Sequence, residues 1–277
     1  MRTRRIGMAA LAGGLLALPS AGCAEAQGAS QEAIAARVRR APDGEVRMHF
    51  TSRPGVCGSV DGHNVSIQDR RRGGTIMHRG NWSDYREDRD CIEGPTHVRM
   101  LVRGGRVADV STRVAHDWPR EGAGRVTDLG RVGAREAADY LLDLAESSDD
   151  RDAGKEAIFP ATLADSVVTW PRLLRIARSG QAGQEARKSA VFWLSQQAGD
   201  QVTRGISDLV DDDDQDREVR EAAVFALSQR PRDESVPALI HIARTHRDPH
   251  IRKTALFWLG QSRDPRAIEL FEEILSQ

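Results

Sequence analysis

Several chemistries lack their usual marks in this chain. No HExxH helix, no GxSxG elbow and no glycine-rich phosphate loop occurs among its 277 residues, which removes the commonest zinc-protease, serine-hydrolase and nucleotide-binding signatures. His241, His246 and His250 stand five and four apart across an expected helix end, a spacing that reads as a solvated loop rather than a zinc site. The acidic run Asp211 to Asp214 lacks the glycine and the alternating ligands of a calcium loop, and reads as an inter-helix linker. His116 and Asp117 adjoin no evident nucleophile. No catalytic residue, metal ligand or cofactor is therefore expected. Lysine is scarce as well, at three residues against 37 arginines.

Long apolar runs are also missing. The longest, Ile6 to Leu18, falls short of the roughly 20 residues that span a bilayer, so no transmembrane segment is expected. It follows Arg2, Arg4 and Arg5 and precedes Ala24-Glu25-Ala26, a small-x-small pattern, so residues 1–26 read as a secretory signal cleaved before Gln27. The rival is a lipoprotein cut before Cys23, although Ser20-Ala21-Gly22 lacks the large aliphatic residue usual three places upstream. Without the signal, Cys57 and Cys91 remain, and an even pair in an oxidising compartment predicts a disulfide. Residues 27–115 then carry a net charge of +4 and 116–277 a net −7. An acidic C-terminal part outside the cytoplasm argues against nucleic acid, whose binding is dominated by phosphate neutralisation.

What is present divides by period. Val46, Met48 and Phe50 alternate, as do Val65 and Ile67, and Val98, Met100 and Val102. The last run meets Arg103-Gly104-Gly105-Arg106 and returns through Val107 to Val114, which predicts a hairpin on two glycines free to take positive φ. Residues 27–44 are expected as a linker or short helix, 45–115 as a small, mostly antiparallel β module stapled by Cys57 and Cys91, and 116–133 as a linker.

From 134 to 277 the period is helical and the text repeats. RKSAVFWLSQ at 187–196 returns as REAAVFALSQ at 220–229 and RKTALFWLGQ at 252–261, with a fourth, degenerate copy around Phe159 that Pro160 interrupts. Each copy follows another amphipathic segment: Arg135 to Ala145, Trp170 to Ala177, Val202 to Val210 and Val236 to Ala243, with Ala267 to Leu275 left over at the end. Two helices per unit of about 32 residues predict an α-solenoid of about four repeats plus a terminal helix. Asp216-x-x-Val219-Arg220-x-Ala222-Ala223-x-x-Ala226-Leu227-Ser228 and Asp248-Pro249-x-Ile251-Arg252-x-x-Ala255-x-x-x-Leu259-Gly260 resemble HEAT-like repeats of the short, phycobilin-lyase type. That resemblance implies the fold; the family's activities are diverse and mostly concern binding and scaffolding.

Helical geometry assigns faces within each repeat. Phe159, Phe192, Phe225 and Phe257 fall on a flank that meets the neighbouring repeat, Trp193 and Trp258 towards the partner helix, and Arg187, Arg220 and Arg252 where they can tie repeats to nearby acids. Asp216 and Asp248 are expected N-caps. The positions left outward are those of Glu221 and Ser228, equivalent to Lys155, Lys188 and Lys253, and to Thr162, Ser195 and Gly260. All three lysines occupy one register, so Lys155, Lys188, Glu221 and Lys253 on the concave face are the candidate binding residues for an acidic segment of a protein partner. The sequence thus predicts an exported, non-enzymatic adaptor; the alternative is a lyase-like enzyme of the same fold, or an accessory of a secreted hydrolase.

Overall fold

The computed structural model describes residues 33–59, 64–69, 74–78, 91–119, 124–148 and 150–276. The expected signal segment 1–26 and Cys23 lie outside them. Helix α1 (Ile34–Arg40) buries Ile34 and Val38 and leads into β1 (Gly44–Phe50). There follow β2 (Val56–Gly58), β3 (Val65–Asp69), β4 (Gly74–His78), β5 (Ile92–Glu93), β6 (Thr96–Arg103), β7 (Arg106–Val114) and β8 (Val126–Arg131). They form two four-stranded sheets, ordered β7-β6-β1-β8 and β4-β3-β2-β5.

The alternating residues are buried as their period requires. Val46, Met48 and Phe50 of β1 and Val98, Met100 and Val102 of β6 line one face of the first sheet, and Val65 and Ile67 are buried in the second. The β6–β7 hairpin turns on Gly104 (φ 56°) and Gly105 (φ 72°), and the Gly104 N–H donates to the Asp43 carboxylate at 2.8 Å. Cys57 of β2 is bonded to Cys91, with Cα atoms 5.2 Å apart. That link ties the start of β5 to its neighbouring strand.

Residues 116–133 are more than a linker. Their second half is β8, which pairs parallel to β1 at the sheet edge and receives a bond from Arg37 Nη2 to Leu129 O at 3.0 Å.

Ten helices occur among the described residues, nine of them after the sheets: α2 (Ala134–Ser147), α3 (Arg151–Thr162), α4 (Trp170–Arg178), α5 (Gln184–Ser195), α6 (Asp200–Asp211), α7 (Arg217–Ser228), α8 (Arg232–Thr245), α9 (Pro249–Ser262) and α10 (Pro265–Leu275). They are the four expected pairs and the terminal helix. First helices α2, α4, α6, α8 and α10 touch in succession, and second helices α3, α5, α7 and α9 form a parallel layer. Pro160 does not end its helix. It sits in the last turn of α3, where only one upstream carbonyl loses a donor.

The sheets and the helices also pack on each other. Ala33–Gln277 is a single compact unit with one continuous apolar core. Helix α3 packs on β7. Beyond it, Leu163 O accepts the Arg53 N–H at 2.7 Å and Thr51 O accepts that of Asp165 at 3.0 Å, so the chain leaving α3 pairs with the chain leaving β1. No described helix is long and apolar enough to cross a membrane.

Candidate partner-binding face of the helical repeats

The layer of second helices is built by one inter-repeat joint used twice. Arg187 of α5 is ion-paired with Asp216 at the head of α7, and Arg220 of α7 lies 3.8 Å from Asp248 at the head of α9. Asp248 also caps its own helix by accepting the His250 N–H at 2.9 Å. That bond, with Arg217 and Arg220 nearby, holds its carboxyl below the ordinary range. Asp216, by contrast, makes no side-chain cap, because its carboxylate is turned to Arg187. Arg252 departs from the pattern. It donates to His246 O at 2.7 Å and Arg247 O at 3.1 Å, the linker before its own helix.

Aromatic rings form the second joint. Trp193 and Trp258 both reach the preceding second helix: Trp193 stacks on Phe159, and Trp258 meets Phe225 at a tilt of 51°. Phe257, on the last second helix, is 57% exposed.

Helix-end hydroxyls were expected to face outward, and two of them do not. Thr162 and Ser195 are buried, and each donates back to the carbonyl three residues earlier, Phe159 at 2.7 Å and Phe192 at 2.6 Å. In the final turn such carbonyls have no helical donor, so a hydroxyl three residues on satisfies them. Ser228 repeats the bond in a half-buried setting, and Gly260 is exposed.

The lysine register does face solvent. Lys155 lies 3.7 Å from Glu156, and Lys188 meets Glu185 at 2.9 Å. The Lys188 hydrogen bond, helped by the charges of Lys188, Lys155 and Arg151, lowers the Glu185 pKa against a smaller opposing effect of burial. Glu221 faces His250 Nε2 at 2.8 Å. Lys253 is exposed and makes no ion pair with any described residue. The row is thus bipolar along its middle and cationic at its α9 end.

The three histidines of the 241–250 segment go to three different places. His241 contacts Thr245 and His250 meets Glu221, both on the surface. His246 is not solvated at all. Only 6% exposed, its Nδ1 accepts the Asp248 N–H at 3.1 Å, so the proton resides on Nε2, which donates to Val210 O at 3.1 Å. The aspartate run is similarly engaged: Asp213 pairs with Arg247 and lies 3.8 Å from Arg220, and Asp212 accepts from Asp214 and Gln215.

Arg230 is the functional-looking residue that sequence reasoning missed. Only 4% exposed, it donates to the carbonyls of Ser195, Gln197 and Gly199, to Thr203 Oγ1 and to Glu234, and so joins three repeats through one guanidinium. Its position just after a recurring Gln is the only signal the sequence offers. With every donor direction taken, it is a structural tie and not a ligand site.

Comparison with known proteins bears on this layer. Residues 206–277, from α6 to α10, match the family of HEAT repeats. No curated protein matches the chain.

Proposed function

We propose that the protein is an exported, non-enzymatic adaptor that binds another protein through the solvent-facing row of its second helices. HEAT repeats commonly mediate protein interactions or scaffolding, and the C-terminal match makes that the parent expectation for this surface. The observation that carries the reading is that Lys155, Lys188, Glu221 and Lys253 stand on successive second helices, Lys155 and Lys253 exposed and Lys188 and Glu221 half-buried. Such a row presents charge at repeat spacing to an extended acidic or mixed-charge segment. The Cys57–Cys91 disulfide favours an oxidising compartment, the periplasm or the exterior, with a lipid anchor at Cys23 as the alternative mode of export.

Site-specific photo-crosslinking in the envelope fraction tests this. A photoreactive residue in place of Lys188 should capture one protein, and excess unmodified protein should compete it away. The same residue in place of exposed Arg204, on α6 of the other layer, should capture nothing. Equal capture at both positions, or none at Lys188, overturns the proposal.

A further inference from the structure

The first sheet carries a second, unrelated surface on the face opposite its buried Val46, Met48 and Phe50. Strand register sets its side chains in rows. His49 lies opposite Arg131 on β8 and opposite His97 on β6, which in turn lies opposite Arg113 on β7. Arg131, His49, His97 and Arg113 therefore form one line across all four strands. Like charges directly opposite one another destabilise a sheet, so a protonated row of this composition is relieved by a negative group lying over it.

Most neighbouring cations are already engaged. Glu45 pairs with Arg47 at 2.6 Å and lies 3.7 Å from Arg99. Arg99 and Arg113 hold the Trp118 ring between them, each guanidinium 4.3 Å from its centroid. His49 and Arg131 are less committed. The His49 ring stacks on His97 at 5.2 Å and hydrogen-bonds to no described residue. Arg131 gives one bond to Thr51 Oγ1 at 3.1 Å and has no other side-chain partner among the described residues. Both line a cavity of about 610 Å³ whose wall also includes Thr51, Ser52, Arg53 and Glu93.

The surrounding charges make this cavity sensitive to protonation. Asp117 lies 3.5 Å from His97 Nδ1, Asp128 stands on β8, and Glu93 and Asp165 line the cavity together with Arg53 and Arg131. With neutral imidazoles the fixed charges of the wall itself cancel, Glu93 and Asp165 against Arg53 and Arg131. A proton on His97, stacked against His49, shifts that balance towards positive. Burial lowers the His97 pKa from 6.5, with Asp117 opposing that and His49 adding to it.

We propose that this cavity binds a small oxyanion group, a carboxylate or a phosphate, held by His49 and Arg131, and that binding draws protons onto the stacked imidazoles. The site is independent of the second-helix row.

The test is histidine-ring NMR on the whole chain, titrated separately with inorganic phosphate and with acetate at constant ionic strength, from pH 5.5 to 7.5. The His49 and His97 signals should shift saturably with at least one anion, and the one that acts identifies the ligand chemistry. Affinity should fall up to about tenfold per pH unit above the ordinary histidine range for each proton taken up. Arg131→Gln, an exposed change that leaves the core intact, should abolish the saturable shift, and Lys253→Gln should keep it. No saturable shift with either anion, a shift that survives Arg131→Gln, or an affinity indifferent to pH overturns the proposal.

Discussion

Phe225 of α7 meets Trp258 of α9 at a tilt of 51°, with ring centroids 4.9 Å apart, the separation at which Phe159 of α3 stacks on Trp193 of α5. In each case the phenylalanine of one repeat meets the residue after the phenylalanine of the next. The third copy carries Ala226 in that register, so Phe192 finds its ring partner on its own helix, edge-on to Trp193 at 5.1 Å. The ladder is therefore interrupted between α5 and α7 and resumes between α7 and α9.

Truncations along the ladder should reflect burial. Phe159→Ala removes a ring that is 1% exposed and should cost about 3–5 kcal/mol. Phe225 is half-buried, so its loss should cost about 2–3 kcal/mol, and exposed Phe257 less than about 1 kcal/mol. Urea midpoints of the three variants give the order directly. A Phe225→Ala protein that unfolds like wild type would show that the stack does not join the repeats.

The Cys57–Cys91 bond should leave neither thiol free in unfolded, unreduced protein. On the loop-entropy account, closing a span of this length stabilises by about 3–4 kcal/mol, so reduction should lower the unfolding midpoint clearly. Thiol titration that returns two reactive groups contradicts the bond.

Much of this was legible because repetition and alternation report burial. The recurring decapeptide marks the second helices, Gly104-Gly105 marks the hairpin, and the even pair of cysteines left after residues 1–26 marks the staple. Strand β8 escaped notice for a physical reason: in Val-Thr-Asp-Leu-Gly-Arg only Leu129 is buried, so the strand exists because β1 offers it an unpaired edge, not because it alternates. The buried polar ties were hidden in the same way. His246 and Arg230 resemble solvated residues in sequence, and their partners are carbonyls some 35 positions away. The surface row of Arg131, His49, His97 and Arg113 depends on strand register, which no single strand reveals.

Arg230→Met should test the tie between repeats. It deprives the Ser195, Gln197 and Gly199 carbonyls of their buried donor and leaves Glu234 without its guanidinium. Removing one partner of a buried pair costs about 3–5 kcal/mol, and the partial exposure of Glu234 places the loss near about 3 kcal/mol. Glu234→Gln, which keeps the guanidinium and its carbonyl bonds, should lose less. Equal losses in chemical denaturation would show that the ion pair, and not the carbonyl bonds, carries the stability.

Asp264 gives a pH-dependent expectation at the head of α10. Arg266 holds both carboxylate oxygens, at 2.8 and 2.9 Å, and this bond more than any other lowers the pKa from 3.8 to about 2. A carboxyl depressed in the folded state contributes stability above its ordinary pKa and loses it as pH falls through the folded value. The stability difference between wild type and Asp264→Asn should therefore be full at pH 5 and shrink between about 4 and 2. A difference that stays constant down to pH 2 would show that Arg266 does not act through the ionised carboxylate.

The lysine register offers the most direct test of partner recognition. Lys188 is already tied to Glu185, Lys155 lies near Glu156, and Lys253 is unpaired among the described residues, so the three should contribute unequally, with Lys253 foremost. An exposed pair formed with a partner would add only about 0.2–1 kcal/mol, too little to resolve singly. The substitutions Lys155→Gln, Lys188→Gln and Lys253→Gln therefore belong in one variant, measured against the protein captured through position 188. At low salt the combined change should weaken binding by about 1–2 kcal/mol, and the gap should narrow as ionic strength rises and screens exposed charge. Affinity unchanged at both salt concentrations, with folding intact, would make the row an ordinary solvated helix face and move recognition to the sheet.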